Sequence, residues 1–158
     1  MLDAPPEIQS WLRTIVDFFE RDIAFDAFLG LKVQDIGEGR GLLHLPYRPD
    51  YLGDPFRPAL HGGIIAVLVD TAAGVAALSS LPPGSKCSTV DMRVDYLLPG
   101  LADDLWAEAR VVRSGNRVAV INVDVFQREH RQVATGRAVY SLRPADTLMP
   151  DASATRPD

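Results

Sequence analysis

The sequence predicts an α+β domain: one long central helix wrapped by a curved antiparallel sheet of five to six strands, with N-terminal helices. Three observations predict it. The stretch His61–Ser80 is apolar on every face of a helix, which requires protein on nearly all sides. From Thr89 onward the chain alternates apolar and polar residues in segments joined by short turns, the pattern of an antiparallel meander. The first 30 residues instead carry apolar residues at the three-to-four spacing of an amphipathic helix.

Each element has its local reason. Pro6 suits a first helical position, and Ile8, Trp11, Leu12, Ile15, Phe18 and Phe19 follow as one stripe. A second short helix runs from Asp22, read as its cap, to Leu29, and Gly30 stops it. Leu31–Ile36 and Gly41–Tyr47 flank the turn Gly37-Glu38-Gly39 as two strands. Pro46 to Pro58 contains four prolines and Gly53 and reads as an irregular loop. The helix over 61–80 follows; as a membrane span it falls short of about 20 residues, and Asp70 at its middle would oppose insertion by about 3 kcal/mol. In the next strand Val90, Met92, Val94, Tyr96 and Leu98 form the apolar face, and Pro99-Gly100 ends it. Leu105–Arg113, Val118–Phe126 and Val133–Leu142 complete the sheet.

Residues 1–30 are expected to be a helical segment of the same domain, 31–143 its body, and 144–158 a flexible tail without periodicity. The chain has 158 residues and a net charge of −5, so one domain with a sizeable core is expected, without the basic face of a nucleic-acid binder. The single cysteine, Cys87, excludes an internal disulfide framework and a cysteine-rich zinc site. Met1 to Pro6 has neither a basic region nor an apolar core, so no secretory leader is expected and a cytoplasmic location is.

One residue does not belong in such a core. A carboxylate inside an apolar helix costs several kcal/mol unless paired, hydrogen-bonded or protonated. The helical neighbours of Asp70 (Ala66, Val67, Ala73 and Gly74) offer no side-chain partner. An arginine or backbone partner would make it structural; otherwise a costly buried charge marks a site. His61-Gly62-Gly63 opens the same helix, where unpaired N–H groups at the positive end of the helix dipole suit a developing oxyanion. Asp70 lies eight residues beyond Gly62, roughly 12 Å along the axis at 1.5 Å per residue. One small carbonyl group cannot touch both within a single chain. Two such helices antiparallel across a two-fold axis would bring them together twice, and the second subunit would also cover helix surface the sheet leaves open. A dimer is expected on both grounds.

LHGGIIAVLVDTAAGVAA followed by STVDMRVDYLLPG resembles the hot-dog-fold acyl-CoA thioesterases of the PaaI-like, phenylacetate-pathway type. The similarity runs from about Phe25 to Arg143. It implies hydrolysis of an acyl-CoA to free acid and coenzyme A, with no cofactor or metal, in homodimers that share one continuous sheet or in homotetramers. Carried over, Asp70 resembles the catalytic carboxylate, acting as general base or nucleophile. Gly62 resembles the glycine whose N–H polarises the thioester carbonyl from the opposite subunit. Thr89 stands where relatives place a hydroxyl that positions the attacking water, and His61 is the motif histidine, with Gly63 beside it in the substrate-binding loop. Relatives commonly carry asparagine about six residues before the histidine; Pro55 stands there, and Asp54, one position earlier, is the candidate replacement. Simple alternation puts Thr89 on the face opposite Val90 and Met92, so its approach to Asp70 needs a bulge. The turn Arg113-Ser114-Gly115-Asn116-Arg117 resembles the coenzyme A contact region, with Arg113, Gly115, Asn116 and Arg117 as substrate-binding candidates; guanidinium groups there suit phosphates, and an ordinary solvated hairpin reads equally well. Arg137 is a weaker candidate, and His44 and His130 read as ordinary strand and turn residues.

Other chemistries fit less well. There is no GxSxG nucleophile elbow and no HxxxH pair, so serine and metal hydrolysis lack their residues. A hot-dog dehydratase or hydratase would need a histidine–carboxylate motif absent here. A non-catalytic acyl-CoA sensor keeps the fold and loses turnover.

Overall fold

The computed structural model describes residues 5–54 and 56–145. Nearly all of the expected tail, and Pro55, lie outside the described residues. Helix α1 (Pro6–Asp17) opens with proline at its first position and buries Leu12 and Ile15. A single π-helical turn, Phe18–Asp22, follows and turns Phe19 inward. It leaves no trace in the apolar spacing. Helix α2 (Ala24–Leu29) has Ile23, not Asp22, at its cap position, because Asp22 is absorbed into that turn. Gly30 closes α2 at φ 72°, a conformation that favours glycine.

Strands β1 (Lys32–Gly37) and β2 (Arg40–Leu45) form the expected hairpin. The proline-rich loop is less irregular than expected. It holds a short ribbon of β3 (Leu52–Asp54) and β4 (Ala59–Leu60), clamped by His61 N–H to Tyr51 O at 2.7 Å and Leu60 N–H to Gly100 O at 2.8 Å. Strands this short carry no periodic signal. Helix α3 (Gly62–Ser79) comes next, then β5 (Lys86–Tyr96), β6 (Leu105–Ser114), β7 (Val118–Gln127) and β8 (Arg131–Arg143). The six long strands form one antiparallel sheet in the order β1-β2-β6-β7-β8-β5.

The sheet curls around α3 because its inner face is made of small and branched residues. Ala107, Ala109, Ala119, Ile121, Val123, Ala134 and Ala138 are fully buried there, against Leu68, Val69, Ala72, Ala73, Val75 and Ala76 of the helix. Two glycines act as notches: a Cβ on Gly41 would stand 2.8 Å from Val75 Cγ1, and one on Gly136 2.5 Å from Val69 Cγ1. Helix α3 has the length and apolarity of a membrane span, yet two-thirds of it is buried inside the chain. α1 and the π turn roof part of the helix that the sheet leaves open, with Trp11 Nε1 donating to Leu81 O at 3.0 Å. This is the hot-dog arrangement.

Strand β5 departs from simple alternation. Thr89 pairs with Tyr140, but Asp91 pairs with Val139, so Val90 is extruded as a bulge and is 64% exposed. The bulge reverses the strand's phase. Before it Cys87 and Thr89 share the inner face of Leu142 and Tyr140; after it Met92 and Val94 share that of Ala138 and Gly136. The expected uniform apolar face from Val90 to Leu98 is thus corrected: Val90, Tyr96, Leu97 and Leu98 are exposed.

Candidate active site

Asp70 sits halfway along α3, and the β5 bulge brings Thr89 to it. Thr89 Oγ1 donates to Asp70 Oδ1 at 2.8 Å, the contact that simple alternation forbids. A second donor joins it. Tyr140 of β8 donates its hydroxyl to the same Oδ1 at 2.8 Å and to the Asp70 carbonyl oxygen at 2.7 Å. Burial, with the Asp70 charge adding and the Thr89 hydrogen bond opposing, raises the Tyr140 phenol above its ordinary pKa, so it remains a donor. The signal for Tyr140 was in the sequence: with Ala138 and Leu142 facing inward, its hydroxyl must find a buried partner. Both hydroxyls hold one carboxylate oxygen, and Oδ2 has no hydrogen-bond partner among the described residues. No arginine among the described residues clasps Asp70.

Asp70 lines a cavity of about 800 Å³ between α3, the start of β5 and the N-terminal helices. Its walls are mainly apolar, with Trp11, Phe18, Phe19, Ile23, Phe25 and Val67 on the helical side. Asp26 and Cys87 share it. Burial and then the Asp70 charge push the Cys87 thiol up to about 11. Burial also raises Asp26, with Thr71 opposing and Asp70 adding.

The His61-Gly62-Gly63 segment divides its roles. His61 Nδ1 accepts the Gly63 N–H at 2.9 Å and so caps α3. That fixes the imidazole proton on Nε2 and removes Gly63 from the donors a substrate could use. The Gly62 N–H has no acceptor among the described residues. Tyr96, at the end of β5, donates to Gly62 O at 2.9 Å. Gly62 opens onto a separate, smaller hollow lined by Leu60, Ile65 and Tyr96 to Gly100, so one chain does not unite Gly62 with Asp70.

Asp54 is engaged locally. Its carboxylate accepts from Phe56 N–H at 2.9 Å, Arg57 N–H at 3.2 Å and Arg57 Nε at 3.1 Å. The Phe56 amide, then Arg57, hold it below the usual carboxylate range. It does not reach the Asp70 cavity. The β6–β7 hairpin carrying Arg113, Gly115, Asn116 and Arg117 is exposed, closed by Gly115 N–H to Val118 O at 2.9 Å. Neither arginine forms an ion pair among the described residues. Leu142 N–H donates to Arg117 O, and Arg143 pairs with Lys86, which puts the hairpin at the same end of the sheet as the Lys86–Thr89 cavity wall. Arg137 is exposed in β8, opposite Arg93. His44 stacks on Trp106 and bonds Asp104, and His130 lies in a turn, as ordinary residues do.

The comparisons with known proteins agree with this fold. The family model "Thioesterase superfamily" matches residues 58–134. A solved structure described as a protein from the thioesterase superfamily is 33% identical, covers 85% of this chain and 99% of its own, and superimposes with a TM-score of 0.77. The medium/long-chain acyl-CoA thioesterase YigI of Escherichia coli is 29% identical over 83% of this chain and 93% of YigI. A mutant structure of the phenylacetic acid degradation protein PaaI from Thermus thermophilus is 29% identical, covers 74% of this chain and 96% of that one, with a TM-score of 0.66. Fold, helix and motif together define a hot-dog thioester hydrolase. The chain belongs to the thioesterase superfamily, and the PaaI-like resemblance is borne out.

Proposed function

We propose that the protein hydrolyses acyl-CoA thioesters at Asp70, in sites that two protomers complete together. The observation that carries this reading is a carboxylate with one oxygen held by Thr89 and Tyr140 and the other free, in the wall of an apolar cavity sized for an acyl chain. Preorganised hydrogen bonds of this kind need no rearrangement as charge develops. A thioester is already activated, so a base and an oxyanion donor suffice.

Asp70 Oδ2 takes a proton from water, whose oxygen bonds to the thioester carbon. The negative charge on the carbonyl oxygen is met by the Gly62 N–H of a second protomer. The carbon–sulfur bond then breaks, its electron pair leaves on sulfur, and the proton on Asp70 passes to the coenzyme A thiolate. Free acid and coenzyme A result. Direct attack by Asp70 would instead pass through an anhydride, and ¹⁸O entering Asp70 in a single turnover, from water opening that anhydride at the aspartyl carbon, would mark this route. The hairpin arginines Arg113 and Arg117 hold the coenzyme A phosphates.

Supporting the two-protomer site, β5 is an eleven-residue edge strand with exposed Val90, followed by exposed Leu97 and Leu98. Bare edges of this length invite pairing. Two β5 edges meeting antiparallel would extend the sheet and carry Gly62 of one copy towards Asp70 of the other. The protein acts as a homodimer, or as a pair of dimers, in the cytoplasm.

The test is complementation. Asp70→Asn, which removes the base, and Gly62→Pro, which removes the N–H at a first helical position that accepts proline, are each expected to reduce acyl-CoA hydrolysis at least about 100-fold. Refolded together from an equal mixture, they should regain about a quarter of wild-type activity, since half the dimers are mixed and each has one intact site. No recovery would confine the site to one chain. Full activity in Asp70→Asn would end the reading.

A further inference from the structure

We infer that Asp26 and Thr71 form a polar subsite in the wall of the acyl cavity, which holds the hydroxyl of a hydroxyacyl thioester. This deepens the acyl-CoA reading and rests on it.

Asp26 is the first-turn acid of α2, yet it is only 4% exposed and lines the cavity that Asp70 lines. Thr71 Oγ1 donates to its Oδ1 at 3.2 Å. Its other oxygen has no partner among the described residues, and none of their sealed side-chain polar atoms lacks one. That oxygen therefore opens into the cavity. It is an acceptor site walled by Phe19, Ile23, Phe25 and Val67. An unsubstituted alkyl chain packed there would strip it of water and return nothing. A hydroxyl on the chain donates to it and restores the lost hydrogen bond.

Position narrows the substrate class. Thr71 follows Asp70 directly in α3, so the subsite lies close to the thioester and not at the far end of the cavity. The hydroxyl belongs on a carbon near the carbonyl, as in a 3-hydroxyacyl group. Burial and the nearby Asp70 disfavour the charged form of Asp26, which suits a neutral hydroxyl over an ammonium group. Sites built around a hydroxyl reject the analogue lacking it far more strongly than a purely apolar wall can discriminate.

The experiment compares kcat/KM for 3-hydroxyacyl-CoA and unsubstituted acyl-CoA of equal chain length, at several lengths, with 3-aminoacyl and terminally hydroxylated chains alongside. The wild type should favour the 3-hydroxy substrate about 10-fold or more, and Asp26→Leu should bring that ratio near one. Asp26→Ala replaces it should the leucine variant not fold, and the wild-type ratio is decisive by itself. A wild-type ratio of one, the same preference in the variant, or a stronger preference for the amino or terminal hydroxyl group overturns the subsite. Hydrolysis without that preference sinks only this inference, whereas hydrolysis of no acyl-CoA sinks the parent reading.

Discussion

The Tyr140 hydroxyl lies 2.8 Å from Asp70 Oδ1 and 2.7 Å from the carbonyl oxygen of the same residue. A rigid phenol on the sheet thus fixes both the side chain and the helix turn that carries it. Tyr140→Phe keeps the ring and removes only the donor. Hydrogen bonds to charged groups contribute about 1.5–3 kcal/mol, so kcat should fall roughly 10- to 100-fold while KM changes little. Thr89→Val should behave likewise. Steady-state kinetics on one acyl-CoA check both, and a change confined to KM would contradict the positioning role.

The notch at Gly136 predicts a stability effect remote from chemistry. An added Cβ would stand 2.5 Å from Val69 Cγ1 and 3.3 Å from the Arg93 carbonyl oxygen. Gly136→Ala should lower stability by about 1–3 kcal/mol through overpacking. A thermal melt should show a drop of several degrees; an unchanged melt would mean the helix can move away from the sheet freely.

Cys87 should be a poor nucleophile. With its thiol pushed up to about 11 by burial and the Asp70 charge, little thiolate exists at pH 8. Alkylation of the native protein should be much slower than of the urea-unfolded chain, and should accelerate as pH rises towards that value. Equal rates in the two states would refute the burial.

Asp26 gives a pH-dependent stability whose sign is fixed. Its folded pKa is raised above the ordinary carboxyl value of 3.8, so between those two values the folded state binds more proton than the unfolded one. Its contribution is most favourable below 3.8 and is lost as pH rises through the folded pKa. Asp26→Asn removes the penalty of ionisation. Its melting temperature relative to wild type should therefore improve from pH 4 to pH 8, and a difference that stays constant across that range would contradict the raised pKa.

The long helix and the meander were legible because each has a period or a uniform apolarity that burial alone imposes. Asp70 was legible as an exception to that uniformity. Tyr140 was legible only in part, because its place between the inward Ala138 and Leu142 calls for a buried hydroxyl partner without saying which. Thr89 was assigned by resemblance while alternation argued against it; the bulge at Val90 reconciles the two, and no local residue pattern announces it. Asp26 was hidden for a different reason. An acid in the first turn of a short helix is ordinary, and only the roof of N-terminal helices over α3 turns it into a buried group.

The extruded Val90 sets the reading frame of its strand. Deleting that one residue would join Thr89, opposite Tyr140, directly to Asp91, opposite Val139, in an unbroken ladder with β8. Cys87 and Thr89 would keep facing α3, whereas a ladder straightened with every residue kept would turn them away and leave Asp70 its phenol without its alcohol. At this position alone a residue can be removed without turning Thr89, since Val90 is the one residue of β5 that β8 does not pair.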